Sequence, residues 1–189
     1  MKLKSLSLAL LSITAISTAN AGHLGGIIGI GIDSGGDRVG SAFFEDGVKE
    51  NIDANAGFSI MGGVSIPLLN GLELQSTIGY QIDSAEADNG DMTWSSFPWE
   101  TTLMARLGNL NIGGGTVYHF SPEFSTSGFL ADLGDFEFDD TLGYQAQIGW
   151  SPSAYPRANI GLRYTAVEFE RADLKINGDS TGLFFKYQF

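Results

Sequence analysis

Apolar and polar side chains alternate along eight segments of this 189-residue chain. The segments are residues 22–32, 54–66, 72–83, 92–107, 110–120, 141–150, 157–167 and 179–189. Successive side chains of a β-strand point to opposite faces, so a period of two predicts strands that each have one apolar and one polar face. The sequence contains no apolar run of about 18 residues, which a transmembrane helix would need. The pattern therefore predicts an all-β chain.

The connections between these segments are of two kinds. Three are short and contain Pro, Gly or Asn, which favour turns: residues 67–71, 108–109 and 151–156. Four are long: residues 33–53, 84–91, 121–140 and 168–178. Long loops at one end and short turns at the other are typical of an up-and-down membrane barrel. Strands of about 9–11 residues match its tilted crossing of a bilayer.

The composition of the two strand faces indicates which one points outward. The polar face consists mainly of Gly, Ser, Thr, Asn and Gln, whereas the surface of a soluble barrel carries far more Lys and Glu. Small residues suit the narrow interior of an eight-stranded barrel, so we expect the apolar face to contact lipid. The alternative is a soluble, lipocalin-like barrel with its apolar face inward.

Aromatic residues lie near the strand ends, as expected for the two interfaces of a bilayer. Those toward the long loops are Tyr80, Trp94, Phe97, Trp99, Tyr118, Phe120 and Tyr164. Those toward the short turns are Trp150, Tyr187 and Phe189.

A few charged residues fall on the inward face. Because buried charges need partners, they predict a polar network inside the barrel. Its expected members are Glu73, Glu100, Arg106, Arg163 and Lys186. Glycines of the same face are expected to make room for the larger inward side chains of Met61, Met104 and Phe184.

The segment 179–189, DSTGLFFKYQF, resembles the closing strand of bacterial outer-membrane β-barrels. With the seven other segments, residues 22–189 resemble the small OmpA/OmpX-type barrels. The resemblance implies an eight-stranded antiparallel up-and-down transmembrane β-barrel in the outer membrane of a Gram-negative cell. It also implies that Phe185, Tyr187 and Phe189 form a signal for the barrel-assembly machinery.

The amino-terminal residues 1–21 have the features of a cleaved secretory signal peptide. Lys2 and Lys4 precede an apolar stretch at residues 6–16, and Ala19-Asn20-Ala21 is a small-x-small cleavage site. We therefore expect export through the periplasm and a barrel domain over residues 22–189. The absence of Cys excludes disulfides and Cys-based chemistry, and the net charge of −12 disfavours nucleic acid as a partner.

Acidic residues are concentrated at the long-loop end, with only Glu73 and Glu100 in strand interiors. We expect this end to contact outer-membrane lipid and lipopolysaccharide, with divalent cations bridging the acidic loops to phosphates. The run from Asp132 to Asp140 lacks the ligand spacing of an EF-hand, so a solvated face is the simpler interpretation. Nothing in the sequence indicates a resident cofactor or metal.

One short motif suggests chemistry. His119 and Ser121 are similar to the His-x-Ser motif of lipid A 3-O-deacylases, in which a base activates a hydroxyl nucleophile. Here Pro122 follows the Ser, whereas Asn follows it in the deacylases, and the alternation places His119 inside the barrel. The leading hypothesis is therefore a non-catalytic barrel with a structural or interaction role. The alternatives are a deacylase-like enzyme and a narrow channel for small molecules.

Overall fold

The computed structural model describes residues 24–43, 49–87, 90–128 and 134–189. The predicted signal peptide at residues 1–21 lies outside these ranges, as do Glu45, Asp46, Asp88 and Asp132. The strands of the described residues are β1 (Gly25–Gly35), β2 (Arg38–Phe43), β3 (Lys49–Asp53), β4 (Gly57–Leu69), β5 (Leu72–Ala87), β6 (Gly90–Leu107), β7 (Leu110–Thr126), β8 (Phe136–Glu137), β9 (Thr141–Trp150), β10 (Ala158–Ala166), β11 (Glu168–Arg171), β12 (Leu174–Asn177) and β13 (Ser180–Gln188).

Eight of the strands in the described ranges form a closed antiparallel barrel in the order β1-β4-β5-β6-β7-β9-β10-β13. Closure occurs where β13 pairs with β1, from Ile27 opposite Gln188 to Gly35 opposite Ser180. The sheet thus has no open edge around the barrel, which satisfies the backbone groups that lipid cannot. The all-β prediction and the pairing of the first and last strands are confirmed.

The exterior of the barrel is apolar, as the alternation predicts. Large outward side chains are about half exposed, for example Ile30 at 49%, Ile60 at 52% and Ile148 at 47%. A continuous apolar band of this kind is suited to lipid and would be unfavourable against water. The interior is lined instead by polar side chains such as Gln75 and Gln145, both buried. This inside-out arrangement excludes the soluble, lipocalin-like alternative.

Glycines admit large side chains to the interior. Met104 lies opposite Gly113, and a Cβ added at Gly113 would come within 2.0 Å of the Met104 sulfur. Gly161 lies opposite Phe184, and a Cβ there would come within 2.7 Å of the ring. The prediction that lumen glycines make room for these side chains is confirmed.

The long-loop end is more structured than its composition suggests. Strand β5 ends four residues and β7 six residues beyond their predicted ends, and β6 begins two residues earlier than predicted. The first and fourth long connections each contain a hairpin, β2–β3 and β11–β12 respectively. Among the described residues there is no helix long and apolar enough to cross a membrane.

The hairpins and the extended strands enclose a second hydrophobic cluster above the barrel, here called the outer cap. Its buried members are Ile52, Ala54, Ala85, Met92, Trp94, Phe124, Phe138, Val167 and Phe169, with Val39, Phe136 and Ile176 packed against them. The placement of Trp94 in the outer aromatic belt is therefore wrong. Its side chain is fully buried and packs 5.0 Å from the Phe169 ring centre, because even-numbered residues of β6 point inward.

Candidate functional site

The centre of the barrel contains four charged side chains in mutual contact, here called the central network: Asp33, Glu100, Arg163 and Lys186. The Arg163 guanidinium donates from Nε to Asp33 Oδ1 at 2.8 Å and from Nη1 to Glu100 Oε1 at 2.9 Å. Its Nη2 donates to Asp33 Oδ2 and to Ser59 Oγ. Lys186 Nζ lies 3.6 Å from the second Glu100 oxygen.

The central network is neutral as a whole, with two cations and two carboxylates that are all almost completely buried. Polar neighbours complete it: Lys186 donates to Gln147 Oε1 at 3.1 Å, and Gln147 donates to Gln145 at 2.9 Å. A buried charge is tolerated when it is paired and hydrogen-bonded, but removing one partner typically costs about 3–5 kcal/mol. The network therefore fixes the strands that carry it and fills the middle of the lumen.

Asp33 is a member that sequence reasoning missed. It was assigned to the first long loop, but β1 extends to Gly35 and turns Asp33 inward beside Gly182. A Cβ added at Gly182 would lie 2.0 Å from Asp33 Oδ1. The alternation along the strand indicates the inward position of Asp33, because Gly29, Gly31 and Asp33 share one face.

Two other predicted members, Glu73 and Arg106, lie apart from the central network at the short-turn end. Glu73 accepts hydrogen bonds from Ser65, Gln75 and Gln188 at 2.6–2.9 Å, and all three donors are uncharged. The Arg106 side chain is exposed, and its Nε donates to Asn111 Oδ1 at 3.2 Å. Within the described part of the chain, Glu73 and Arg106 do not form an ion pair with each other.

His119 and Ser121 lie close in sequence but not on the same face. His119 is buried inside the barrel, and its Nδ1 lies 3.2 Å from Ser96 Oγ. Ser121 is exposed and has a positive φ of 46°, and its backbone N–H donates to Asp140 Oδ1 at 2.8 Å. The β6–β7 register shifts at this point, so a bulge turns the two side chains to opposite sides.

The imidazole of His119 marks the boundary between the polar lumen and the outer cap. Its ring is edge-on to Phe169 at 5.3 Å between ring centres, and its Nε2 has no hydrogen-bond partner among the described residues. Phe169 in turn contacts Trp94, which lies 5.4 Å from Phe138. Aromatic rings thus cover the outer end of the lumen directly above the polar side chains.

Backbone hydrogen bonds tie the outer cap together. Asp37 N donates to Asn177 O at 2.7 Å, and Ala54 N donates to Asp37 O at 2.9 Å, so the hairpins β2–β3 and β11–β12 are joined. Asp139 N donates to Glu170 O at 2.8 Å and joins β11–β12 to the segment before β9. The acidic residues at this end are therefore displayed on a folded surface.

That surface is strongly acidic. Its exposed carboxylates include Asp37, Asp135, Glu137, Asp139, Asp140, Glu168, Glu170 and Asp173. Two cations there are already paired, Arg38 with Asp53 at 3.8 Å and Lys175 with Glu168 at 2.7 Å. The Lys175 ammonium also holds the pKa of Glu170 below its usual range. Among the described residues, no cluster of three or more His, Asp or Glu side chains is arranged to hold a metal ion.

The residues predicted to signal assembly lie on the exterior of β13 and just beyond it. Phe185, Tyr187 and Phe189 are 41%, 38% and 63% exposed, and all point away from the lumen. Phe189 N and O form backbone hydrogen bonds with Gly26 at 3.0 and 2.9 Å. Their role in assembly stays a prediction.

The closed barrel, its apolar exterior and its filled polar interior define the class of this protein. It has the fold of the small eight-stranded outer-membrane β-barrels, the OmpA/OmpX type. The chain matches no protein-family model and no curated protein sequence.

Solved structures of outer-membrane barrels are similar to it. The crystal structure of Ail, the attachment invasion locus protein of Yersinia pestis, in complex with the heparin analogue sucrose octasulfate, has a TM-score of 0.53. Its sequence identity is 18%, and the match covers 89% of this chain and 100% of Ail. The crystal structure of Neisserial surface protein A has a TM-score of 0.49 and 12% identity, covering 88% and 97% of the two chains. At these identities the likeness concerns the fold.

Proposed function

We propose that this protein is a closed, non-catalytic barrel of the Gram-negative outer membrane whose role is carried by its acidic outer cap. The single observation that supports this most directly is that the lumen is filled in its middle and covered at its outer end. The central network occupies the middle, and the aromatic side chains of Trp94, Phe138 and Phe169 cover the outer end. In this proposal residues 1–21 direct export through the periplasm, and Phe185, Tyr187 and Phe189 are read by the barrel-assembly machinery.

The proposed partners are outer-membrane lipid and lipopolysaccharide, with divalent cations between the carboxylates and the lipid phosphates. The carboxylates of Asp139, Asp140, Glu168 and Glu170 all lie on one folded surface, which favours such bridging over isolated contacts. An acidic surface repels polyanions, so we do not expect this chain to bind a heparin analogue as Ail does.

The proposal is tested by reconstituting the full chain into lipopolysaccharide bilayers and measuring how Mg²⁺ affects lipopolysaccharide association. We expect Mg²⁺ to strengthen association and a chelator to reverse it. A variant with Asp139→Asn, Glu168→Gln and Glu170→Gln should lose most of the Mg²⁺ effect. A matched variant, Thr181→Ala on the barrel exterior, should retain it. Mg²⁺-independent association, unchanged in the carboxylate variant, would refute the proposal.

Catalysis is tested in the same bilayers. Support for a non-catalytic role comes from His119 and Ser121, which point to opposite sides of β7 and so do not form a base–nucleophile pair. We expect mass spectrometry to find every acyl chain of the lipid A retained after incubation. Loss of a chain that Ser121→Ala prevents would establish the deacylase alternative.

A further inference from the structure

We propose that the short-turn end of the barrel binds a phosphate ester that carries hydroxyl groups. The site is the opening here called the lower mouth, lined by Glu73, Gln75, Arg106, Arg157, Asn159, Lys186 and Gln188 among others. The short turns of outer-membrane barrels face the periplasm, so the ligand would come from that side.

The lower mouth has the opposite charge to the rest of the molecule. The chain as a whole carries a net charge of −12, yet this opening is lined by two exposed arginines, Arg106 and Arg157, and by the buried Lys186. Among the described residues, Glu73 is the single carboxylate that lines it. A local excess of cations at the rim attracts anions, and it stands out against the acidic outer cap.

The contacts at the lower mouth leave its two arginines available, whereas Lys186 is paired in the central network. Glu73 accepts hydrogen bonds from the neutral donors Ser65, Gln75 and Gln188, and within the described residues it forms an ion pair with neither arginine. Arg106 uses only its Nε, which donates to Asn111. Asn111 is itself held by Ser151 at 3.0 Å. Within the described residues, the Arg157 side chain has no hydrogen bond or ion pair.

The side chains of Arg106 and Arg157 line the same opening. Arg106 lies on β6, and Arg157 immediately precedes β10. By the alternation of those strands, both residues are in positions whose side chains point inward. These strands are separated by β7 and β9, so the two side chains approach the mouth from well-separated sides of the barrel. Guanidinium groups favour phosphate because their N–H groups match its oxygens in paired hydrogen bonds.

Two buried amide oxygens indicate that the ligand also donates hydrogen bonds. Gln75 Oε1 and Asn159 Oδ1 line the same opening, and neither has a donor in the described part of the chain. Gln75 is only 6% exposed, so an unmet acceptor there is costly. A hydroxyl-bearing phosphate such as a glycerol phosphate would keep its phosphate outside, at the exposed arginines, and place one hydroxyl in the opening, whose interior has room for about one water-sized group. The headgroup of phosphatidylglycerol also combines a phosphate with hydroxyl groups, so it is a second possible source of this ligand.

The first arm of the test is isothermal titration calorimetry. Glycerol 3-phosphate is titrated into the full chain in phosphatidylcholine nanodiscs, which tests both the site and whether its ligand is a free phosphate ester. A second arm compares nanodiscs that contain phosphatidylglycerol with nanodiscs that contain phosphatidylethanolamine, using the NMR signals of the arginine side chains. We expect saturable binding in at least one arm. Because charge-assisted hydrogen bonds are lost, the double variant Arg106→Gln/Arg157→Gln should weaken it about tenfold or more.

Two further variants keep the test specific. Arg38→Gln, which removes a cation from the outer end, should bind as the wild type does. Gln75→Leu should reduce the preference for glycerol phosphate over inorganic phosphate, because the acceptor for the ligand hydroxyl is removed. All variants must retain the heat-modifiable gel migration of a folded barrel. The proposal is overturned if neither ligand source binds, or if the double arginine variant binds as tightly as Arg38→Gln.

Discussion

The central network and the outer cap solve the same problem, filling a barrel, by opposite means. The network uses charged side chains from β1, β6, β10 and β13 that neutralise each other in the middle of the membrane span. The cap uses aromatic and aliphatic side chains from hairpins and strand extensions beyond it. The exterior of the span must be apolar for lipid, so its polar residues face inward. Beyond the bilayer, water surrounds the structure, so there the apolar residues face inward instead.

The comparison predicts that the two regions fail differently when broken. Loss of a charge in the network destabilises the whole barrel, because the remaining charges stay buried without partners. Loss of an aromatic ring in the cap opens the cap and leaves the barrel closed. The substitutions below follow the expected size of their effects.

The largest effect is expected for Arg163→Met. Asp33 then has no cation, and Glu100 keeps only Lys186, so we expect unfolding to become easier by about 3–5 kcal/mol. Urea titration followed by gel migration of the folded barrel measures this. Adding Asp33→Leu to the variant should recover much of the loss, because the Glu100–Lys186 pair then remains balanced. No recovery in the double variant would contradict the pairing described.

Phe169→Ala should have a somewhat smaller and local effect. The ring is completely buried between Trp94 and His119, so its removal should destabilise the cap by about 3 kcal/mol. Hydrogen exchange of amides in β11 and β12 should speed up while exchange in β9 and β10 stays slow. Phe97→Ala, on the lipid face and 47% exposed, is the control and should leave cap exchange unchanged. Equal acceleration throughout the barrel would show that the cap and barrel unfold together.

Gly182→Ala tests the close approach that the network requires. The new methyl group would lie 2.0 Å from Asp33 Oδ1, so the carboxylate must move away from Arg163. We expect a loss of about 1–3 kcal/mol, which is typical of overpacking. Gly62→Ala is the matched control, because the nearest atom to its added Cβ is 3.8 Å away. Similar urea midpoints for both variants would refute this tight packing.

The smallest effect is expected for Lys175→Met on the exposed hairpin β11–β12. Lys175 lowers the pKa of Glu170, so the stabilisation from this pair is present above the unfolded pKa of a Glu, about 4.3, and is lost as the pH falls through the folded value. Both side chains are exposed, so solvent and salt screen the pair. Exchange of the hairpin amides should differ slightly from wild type at pH 7 and low salt, and the difference should shrink as the pH falls through the lowered pKa of Glu170. A large difference at high salt would contradict this assignment.

Parity along the strands was sufficient to predict the barrel and most of its lining. The alternation placed Glu100, Arg163 and Lys186 inside, because a strand inside a closed barrel has only two choices for each side chain. The same alternation places Trp94 inside, because it lies within the predicted strand 92–107, and places Asp33 inside when it is extended one residue beyond the predicted strand 22–32. The acidic composition favoured a loop for Asp33, and the position near a strand end favoured an aromatic belt for Trp94.

The outer cap could not be predicted from parity. Residues as distant as Ile52, Phe124 and Phe169 meet there through the folding of separate hairpins, and no short-range pattern encodes such contacts. The separation of His119 from Ser121 depends on a single bulge, which shifts the register by one residue and reverses every later side chain.

The lumen of this barrel is filled in its middle by the central network and covered at its outer end by the outer cap. Planar-bilayer recording of the purified full chain tests this arrangement most directly. Because the central network crosses the middle of the lumen and the outer cap covers its outer end, we predict no discrete conductance steps above the bilayer baseline at neutral pH. Arg163→Met together with Phe169→Ala should raise the baseline leak. Large, stable conductance steps from the wild-type chain would contradict the account.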